Sequence, residues 1–221
     1  MRTLAIGDIH GCLTALETLL VAVDLREDDL LITLGDYTDR GPDSRGVLDL
    51  LISLWWQEKL VAVRGNHDIM FCDARDKHSS FHVWLSLGGE ATLQSYGGNI
   101  DNVPQEHWDF LKNGLVDYYE TKTHIFVHAG LWPDVPLDEQ PEFVLFFERF
   151  HNPAPHESGK TMICGHTNQR SGLPNNKGHA VCIDTRAYGG GWLSCLHVET
   201  GRIWQANQKG EVRELWLDDL Q

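Results

Sequence analysis

The chain has 221 residues, 42% hydrophobic and 23% charged, which suits one domain with a buried core and not a disordered segment. Against 18 Lys+Arg stand 32 Asp+Glu, giving a formal net charge of −14, which argues against nucleic acid and anionic membrane as partners. Five scattered cysteines without a CxxC pair, an early Gly7-Asp8 that interrupts any leader-like apolar core, and a longest uncharged apolar stretch of only 50–56 make the cytoplasm the expected location.

In chain order, short apolar runs end in polar clusters. Leu4-Ala5-Ile6 leads into Gly7-Asp8-Ile9-His10-Gly11, and Leu30-Leu31-Ile32-Thr33-Leu34 into Gly35-Asp36. Leu60-Val61-Ala62-Val63 leads into Arg64-Gly65-Asn66-His67-Asp68. Later, Ile125-Phe126-Val127 precedes His128-Ala129-Gly130, and Met162-Ile163-Cys164 precedes Gly165-His166-Thr167. Apolar runs without polar alternation predict central strands covered on both faces. Between the first three, Leu13, Leu16, Leu20 and Val23, then Val47, Leu48, Leu51, Leu54 and Trp55, recur at helical spacing. The order strand, helix, strand, helix, strand predicts a βαβαβ unit with parallel strands, whose ligand sites lie beyond the strand carboxyl ends.

The middle, about 72–119, reads as a helical cap, interrupted by Gly88-Gly89 and Gly97-Gly98. After His179 the pattern turns to strands at Val181-Cys182-Ile183, 192–198 and Arg202-Ile203-Trp204, and Glu214, Asp218 and Asp219 read as a solvated tail. No linker or repeat divides the chain, so 1–221 is expected to be a single domain.

Asp8, His10, Asp36, Asn66, His128 and His166 form an oxygen and nitrogen donor set without thiolate. Such a set suits Mn²⁺, Fe or Zn²⁺ better than a soft metal. Six donors exceed the need of one tetrahedral ion and divide between two if Asp36 bridges. Cys12 follows Gly11 but has no His/Asn partner pattern of its own, so a thiol nucleophile is not expected. The eight tryptophans read as core and cap packing, and the eight histidines outside the clusters as surface or structural residues.

These five clusters, with Gly35-Asp36-Tyr37-Thr38-Asp39-Arg40-Gly41 as the second, resemble the ordered motifs of the calcineurin-like metallophosphoesterases. Asp39-Arg40-Gly41 is similar to the phosphoprotein-phosphatase branch, especially its compact bacterial and phage serine/threonine phosphatases. The resemblance implies an α/β (α+β) fold: a β-sandwich with flanking helices, a βαβαβ metal-binding core and the helical cap in mid-chain. It implies that Asp8, His10 and Asp36 hold one metal, and that Asp36 with Asn66, His128 and His166 holds a second. Mn²⁺ is the first choice for both, ahead of Fe or Zn²⁺. It further implies direct attack of a dimetal-bridging hydroxide on phosphorus, with His67 as general acid oriented by Asp39. Arg40 and Arg149 would grip the phosphate, Arg149 through the arrangement Phe147-Glu148-Arg149. Asp184 resembles a supporting carboxylate of the family and equally suits a strand-end turn.

The implied activity is dephosphorylation of phosphoserine or phosphothreonine in a phosphoprotein or phosphopeptide. Three positions depart from the usual pattern: Asp68 for Glu, Asn168 for Pro and Phe147 for Trp. Asp68 is shared with the symmetrical dinucleoside-tetraphosphate hydrolases, which are the alternative. A non-catalytic binding module on the same fold should have lost a ligand or the histidine, and none is missing.

Overall fold

The computed structural model describes residues 2–220, with the backbone alone described at His78. The first three apolar runs form β1 (Thr3–Ile6), β2 (Leu30–Thr33) and β3 (Leu60–Val63), connected through α1 (Leu13–Val23) and α2 (Ser44–Trp56). The strands are parallel, with Ile6 opposite Thr33 and Thr33 opposite Ala62. Successive residues of each strand enter different cores, so the runs do not alternate with polar residues. Leu4, Ile6, Leu31, Leu60 and Ala62 pack toward the helices, beneath Leu16, Leu19, Val47, Leu48 and Leu51. Ala5, Ile32 and Val63 face the other way. Asp43 starts α2 by accepting the Gly46 N–H at 2.8 Å.

Helices then continue through α3 (Asn66–Asp76), α4 (His78–Trp84), a kinked turn at Leu85–Gly89 where Gly88 leaves the helical region at φ 120°, α5 (Glu90–Ser95), α6 (Gln105–Asp109) and a π-helical turn at Phe110–Gly114. Phe71, Trp84, Tyr96, Trp108 and Phe110 bring this segment into the same helix-side core. It begins at Asn66, ahead of the expected boundary, and ends where β4 (Leu115–Val116) and β5 (Tyr118–Glu120) enter two different sheets. Strands of two and three residues are too short to show a period.

The second half contributes β6 (His124–Val127), α7 (Glu142–Phe147), β7 (Thr161–Cys164), β8 (Asn175–Asn176), β9 (Ala180–Cys182), β10 (Leu193–His197), β11 (Arg202–Ala206) and β12 (Val212–Trp216). One sheet runs β12-β11-β10-β1-β2-β3-β4 and the other β5-β6-β7-β9-β8. The two sheets face each other across Ala5, Ile32, Val63, Leu196 and Ile203 on one side and Phe126, Ile163 and Val181 on the other. On its outer face the second sheet lies under Leu145, Phe146 and Phe150. The result is the expected α/β sandwich with helices outside. Glu214, Asp218 and Asp219 are exposed, but they sit on an ordered edge strand and the 3-10 turn Leu217–Leu220, with Arg202 Nη2 2.7 Å from Glu214 Oε2. No helix among the described residues is long and apolar enough to cross a membrane.

Candidate active site

Strand polarity brings the polar clusters together. Asp8 follows β1, Asp36 follows β2, Asn66 opens α3, His128 follows β6 and His166 follows β7. Two sets of ligand atoms lie within 4.8 Å of one another: His10, Asp36 and His67, and Asp36, His128 and His166. Asp36 belongs to both, as a bridging carboxylate must.

The backbone fixes the imidazole tautomers. His10 Nδ1 donates to Thr38 O at 2.8 Å and His128 Nδ1 to Leu34 O at 2.7 Å. A carbonyl only accepts, so each neutral ring keeps its lone pair on Nε2. Arg40 Nη1 donates to His10 Nε2 at 2.7 Å. His128 Nε2 instead faces Asn66 Oδ1 at 2.9 Å, and His166 Nδ1 lies 3.0 Å from the same oxygen. At His128 this sets lone pair against lone pair, which is repulsive. The amide relieves this only by turning its NH2 inward, whereas a divalent cation satisfies all three atoms at once. The donor set fits a metal.

His10, Asp36, Asp39, Arg40 and His166 all adopt positive φ, between 47° and 72°. Such backbone costs ~1–3 kcal/mol per non-glycine residue and persists only where neighbours hold it. Asp68 is one such neighbour. Its carboxylate accepts the N–H groups of Asp36 at 2.9 Å, Tyr37 at 3.0 Å and Gly65 at 2.9 Å, binding the Asp36 turn to the start of α3. Asp8 lies outside both donor sets, and its oxygens accept the His166 N–H at 3.0 and 3.1 Å. Gly165 permits that approach: a Cβ there would stand 2.0 Å from Asp8 Oδ1.

The model of the calcineurin-like phosphoesterase family matches residues 1–188. The chain belongs to this family. Among its relatives are a symmetrical bis(5'-nucleosyl)-tetraphosphatase of Legionella pneumophila, 46% identical over 68% of this chain and 54% of that protein, and serine/threonine-protein phosphatase 1 of Salmonella typhimurium, 45% identical over 38% of each chain. A solved structure described as a candidate diadenosine tetraphosphatase superposes with a TM-score of 0.67 at 25% identity, covering 97% of this chain and 93% of that one. The chain spans about half the length, or less, of the curated relatives it matches.

The electrostatics of the site favour cation binding. Burial, together with Asp184 and Asp36, raises the Asp8 carboxyl well above the usual range. Burial and Asp36 push Asp68 up to about 8 and, against the Arg186 N–H, Asp184 up to about 7. Burial holds His10 down at about 3, and burial with His128 does the same for His166. Burial also lowers His128. Asp36 is the exception among the acids: burial alone would raise it, but the four surrounding histidines hold it below the ordinary carboxylate range. A divalent ion takes up neutral imidazoles as they stand, and its charge displaces the proton from a crowded buried carboxyl, so neither group needs a further counter-charge.

Beside the donor sets, His67 Nδ1 and Asp39 Oδ2 are 2.7 Å apart, both buried. Burial lowers the imidazole pKa, but Asp36 and Asp39 outweigh it and raise the ring above its ordinary value. Arg40 is steadied by Tyr188, whose ring lies 4.8 Å from its guanidinium carbon and 4.9 Å from the His10 ring. Arg149 lies exposed just beyond α7, where its charge also lowers His166. Asp184 is buried, and its Oδ1 accepts the Arg186 N–H at 2.9 Å, so it combines the turn role with proximity to Asp8. Burial pushes the Cys12 thiol up to about 12, which leaves no thiolate nucleophile there. Sequence reading missed Trp84, Thr92 and Tyr188. Nothing local marks them, since one tryptophan in a cap looks like any other.

Proposed function

We propose that the chain is a metal-dependent phosphomonoester hydrolase acting on phosphoserine and phosphothreonine. Asn66, His128, His166 and Asp36 would hold one divalent ion, and Asp36, His10 and Asp8 the other, with Asp8 exchanging the His166 N–H for the ion. When bound, two such ions supply Lewis acidity at the phosphate and activate the attacking water. Mn²⁺ suits the mixed imidazole, amide and carboxylate set better than Mg²⁺ or Ca²⁺, which prefer oxygen shells.

The remaining work falls to the chain's own side chains. Arg40 and Arg149 orient the phosphate through planar, paired N–H groups. Water oxygen ends on phosphorus, the ester P–O bond breaks, and the departing oxygen takes a proton from His67. Nδ1–H is committed to Asp39, so Nε2–H is the proton given. The observation that carries this reading is the buried His67–Asp39 pair, 2.7 Å apart. A serine or threonine alkoxide is a strong base and leaves poorly without a proton, so a built acid beside the phosphate site suits that substrate.

A second reading, symmetrical hydrolysis of dinucleoside tetraphosphates, is favoured by the relatives of that name that match over 62–68% of the chain. Purified protein with Mn²⁺ would be assayed against an aryl phosphate, phosphothreonine and phosphotyrosine peptides, and diadenosine tetraphosphate. Peptide turnover well above tetraphosphate turnover supports the first reading, and the reverse order supports the second. Chelation should abolish activity, and Mn²⁺ should restore more of it than Mg²⁺ or Ca²⁺. Full activity in chelator would overturn both readings.

A further inference from the structure

Asp39 has more partners than His67. It is fully buried, and its carboxylate also accepts Trp84 Nε1–H, at 2.9 Å from Oδ1 and 3.0 Å from Oδ2, and Thr92 Oγ1–H at 2.7 Å from Oδ1. Both donors come from the helical insertion, 45 and 53 residues further along the chain. The direction of each bond is forced. Indole nitrogen can only donate. Thr92 Oγ1 accepts the backbone N–H of Asp39 itself at 2.7 Å and lies 2.9 Å from Ser44 Oγ, so its one proton is directed to the carboxylate. The segment is shaped for these contacts. A Cβ on Gly89 would stand 2.3 Å from the Trp84 ring, and Gly88 O accepts the Arg40 N–H at 3.0 Å.

We infer that Trp84 and Thr92 are positioning residues for proton donation, acting through Asp39, so that the insertion builds the acid half of the site as well as covering the core. This rests on the reading of His67 as general acid. Three donors on one carboxylate fix its plane, and that plane aims the lone pair holding His67 Nδ1–H. Loss of one donor lets the carboxylate rotate and the ring follow, while the metal donors keep their own partners.

The test compares Trp84→Phe, which keeps the stack on Phe71, with Thr92→Val and Thr92→Ser in the Mn²⁺-loaded protein. Trp84→Phe and Thr92→Val should each lower kcat on a phosphoserine peptide by ~10-fold, part of the ~10²–10⁴ that general acids supply. KM, metal content and turnover of nitrophenyl phosphate should stay within about twofold on the same basis. Thr92→Ser, which restores the hydroxyl, should recover peptide turnover. In NMR spectra of the protein loaded with diamagnetic Zn²⁺ instead, the hydrogen-bonded Nδ1–H of His67 should broaden or shift upfield in Trp84→Phe and Thr92→Val but not in Thr92→Ser. If His67→Asn discriminates between the two substrates while Trp84→Phe and Thr92→Val do not, the inference fails and the acid role of His67 stands. Equal losses on both substrates, unrescued by serine, would show a purely structural role and also overturn it. If His67→Asn itself fails to discriminate, the underlying reading falls first.

Discussion

Asp36 Oδ1 accepts the backbone N–H of His67 at 2.9 Å, so the carboxylate shared by both donor sets also anchors the proposed acid. On the proposed reading, one side chain would thus tie metal binding to proton donation. Asp36→Asn keeps the shape but removes the charge common to both sites. We expect loss of at least one metal equivalent by elemental analysis. We also expect a fall in turnover beyond the ~10–100-fold typical of residues that only orient ligands. Two full equivalents with wild-type turnover in that variant would contradict a shared ligand.

His67→Asn separates the acid from the metals by leaving-group chemistry. Nitrophenolate departs as an anion, whereas serine alkoxide needs the proton. Turnover of a phosphoserine peptide should therefore drop by ~10²–10⁴ while an activated aryl phosphate loses much less. Asp39→Asn should show the same split more weakly, because it removes the orienting charge and leaves the ring. Metal content should hold in both. His67 lies within 4.8 Å of His10 and Asp36, so lost metal with equal losses on both substrates would make it a ligand instead.

Much of this arrangement was legible from residues alone because each donor sits immediately after an apolar run. Strand ends are local signals, and parallel strands gather their carboxyl ends on one side. β1, β2, β3, β6 and β7 all fall where those runs lie. What could not be read is what depends on distant contacts. Trp84 reaches Asp39 across 45 positions, and β10 pairs with β1 across most of the chain. Asp8 shows the other limit. The family resemblance implies a ligand role for it, yet the orientation of its carboxylate is set by the amide of His166, 158 residues away. Asp68 likewise looked like a marker of substrate preference, and its three backbone N–H contacts show that it also holds the Asp36 turn.

Arg149 is exposed and lies beside the site through His166, whose pKa it helps to lower. If it grips phosphate, Arg149→Ala loses charge-assisted hydrogen bonds of ~1.5–3 kcal/mol, roughly a tenfold or greater loss of kcat/KM. The loss should include a raised KM for phosphomonoesters, with metal content unchanged. Wild-type kinetics in Arg149→Ala, together with a defect in Arg186→Ala, would move the second phosphate contact to the loop that carries Tyr188.

Far from the site, Arg2 and Asp29 pin the entry to β1 against the entry to β2. Arg2 Nε donates to Asp29 Oδ1 at 2.8 Å, Arg2 Nη2 pairs with Oδ2, and the Arg26 N–H reaches Oδ2 at 2.8 Å. The Asp29 side chain is fully covered and that of Arg2 is 15% exposed, so water screens the pair little. Hydrogen bonding from Arg2, with the Arg26 N–H and the guanidinium charge, outweighs burial and lowers the Asp29 carboxyl from 3.8 to about 2. A carboxyl depressed in the folded state binds its proton more readily when the chain unfolds. Its contribution is therefore complete above the unfolded value near 3.8 and disappears as pH falls toward about 2. A depression of this size corresponds to about 2 kcal/mol. Asp29→Asn should lower the urea-unfolding free energy by about that amount at pH 7. The gap between variant and wild type should be nearly unchanged at pH 5 and clearly narrower at pH 3. A gap of constant size from pH 7 to pH 3 would mean that the charge of Asp29 contributes nothing and that only the shape of the contact matters.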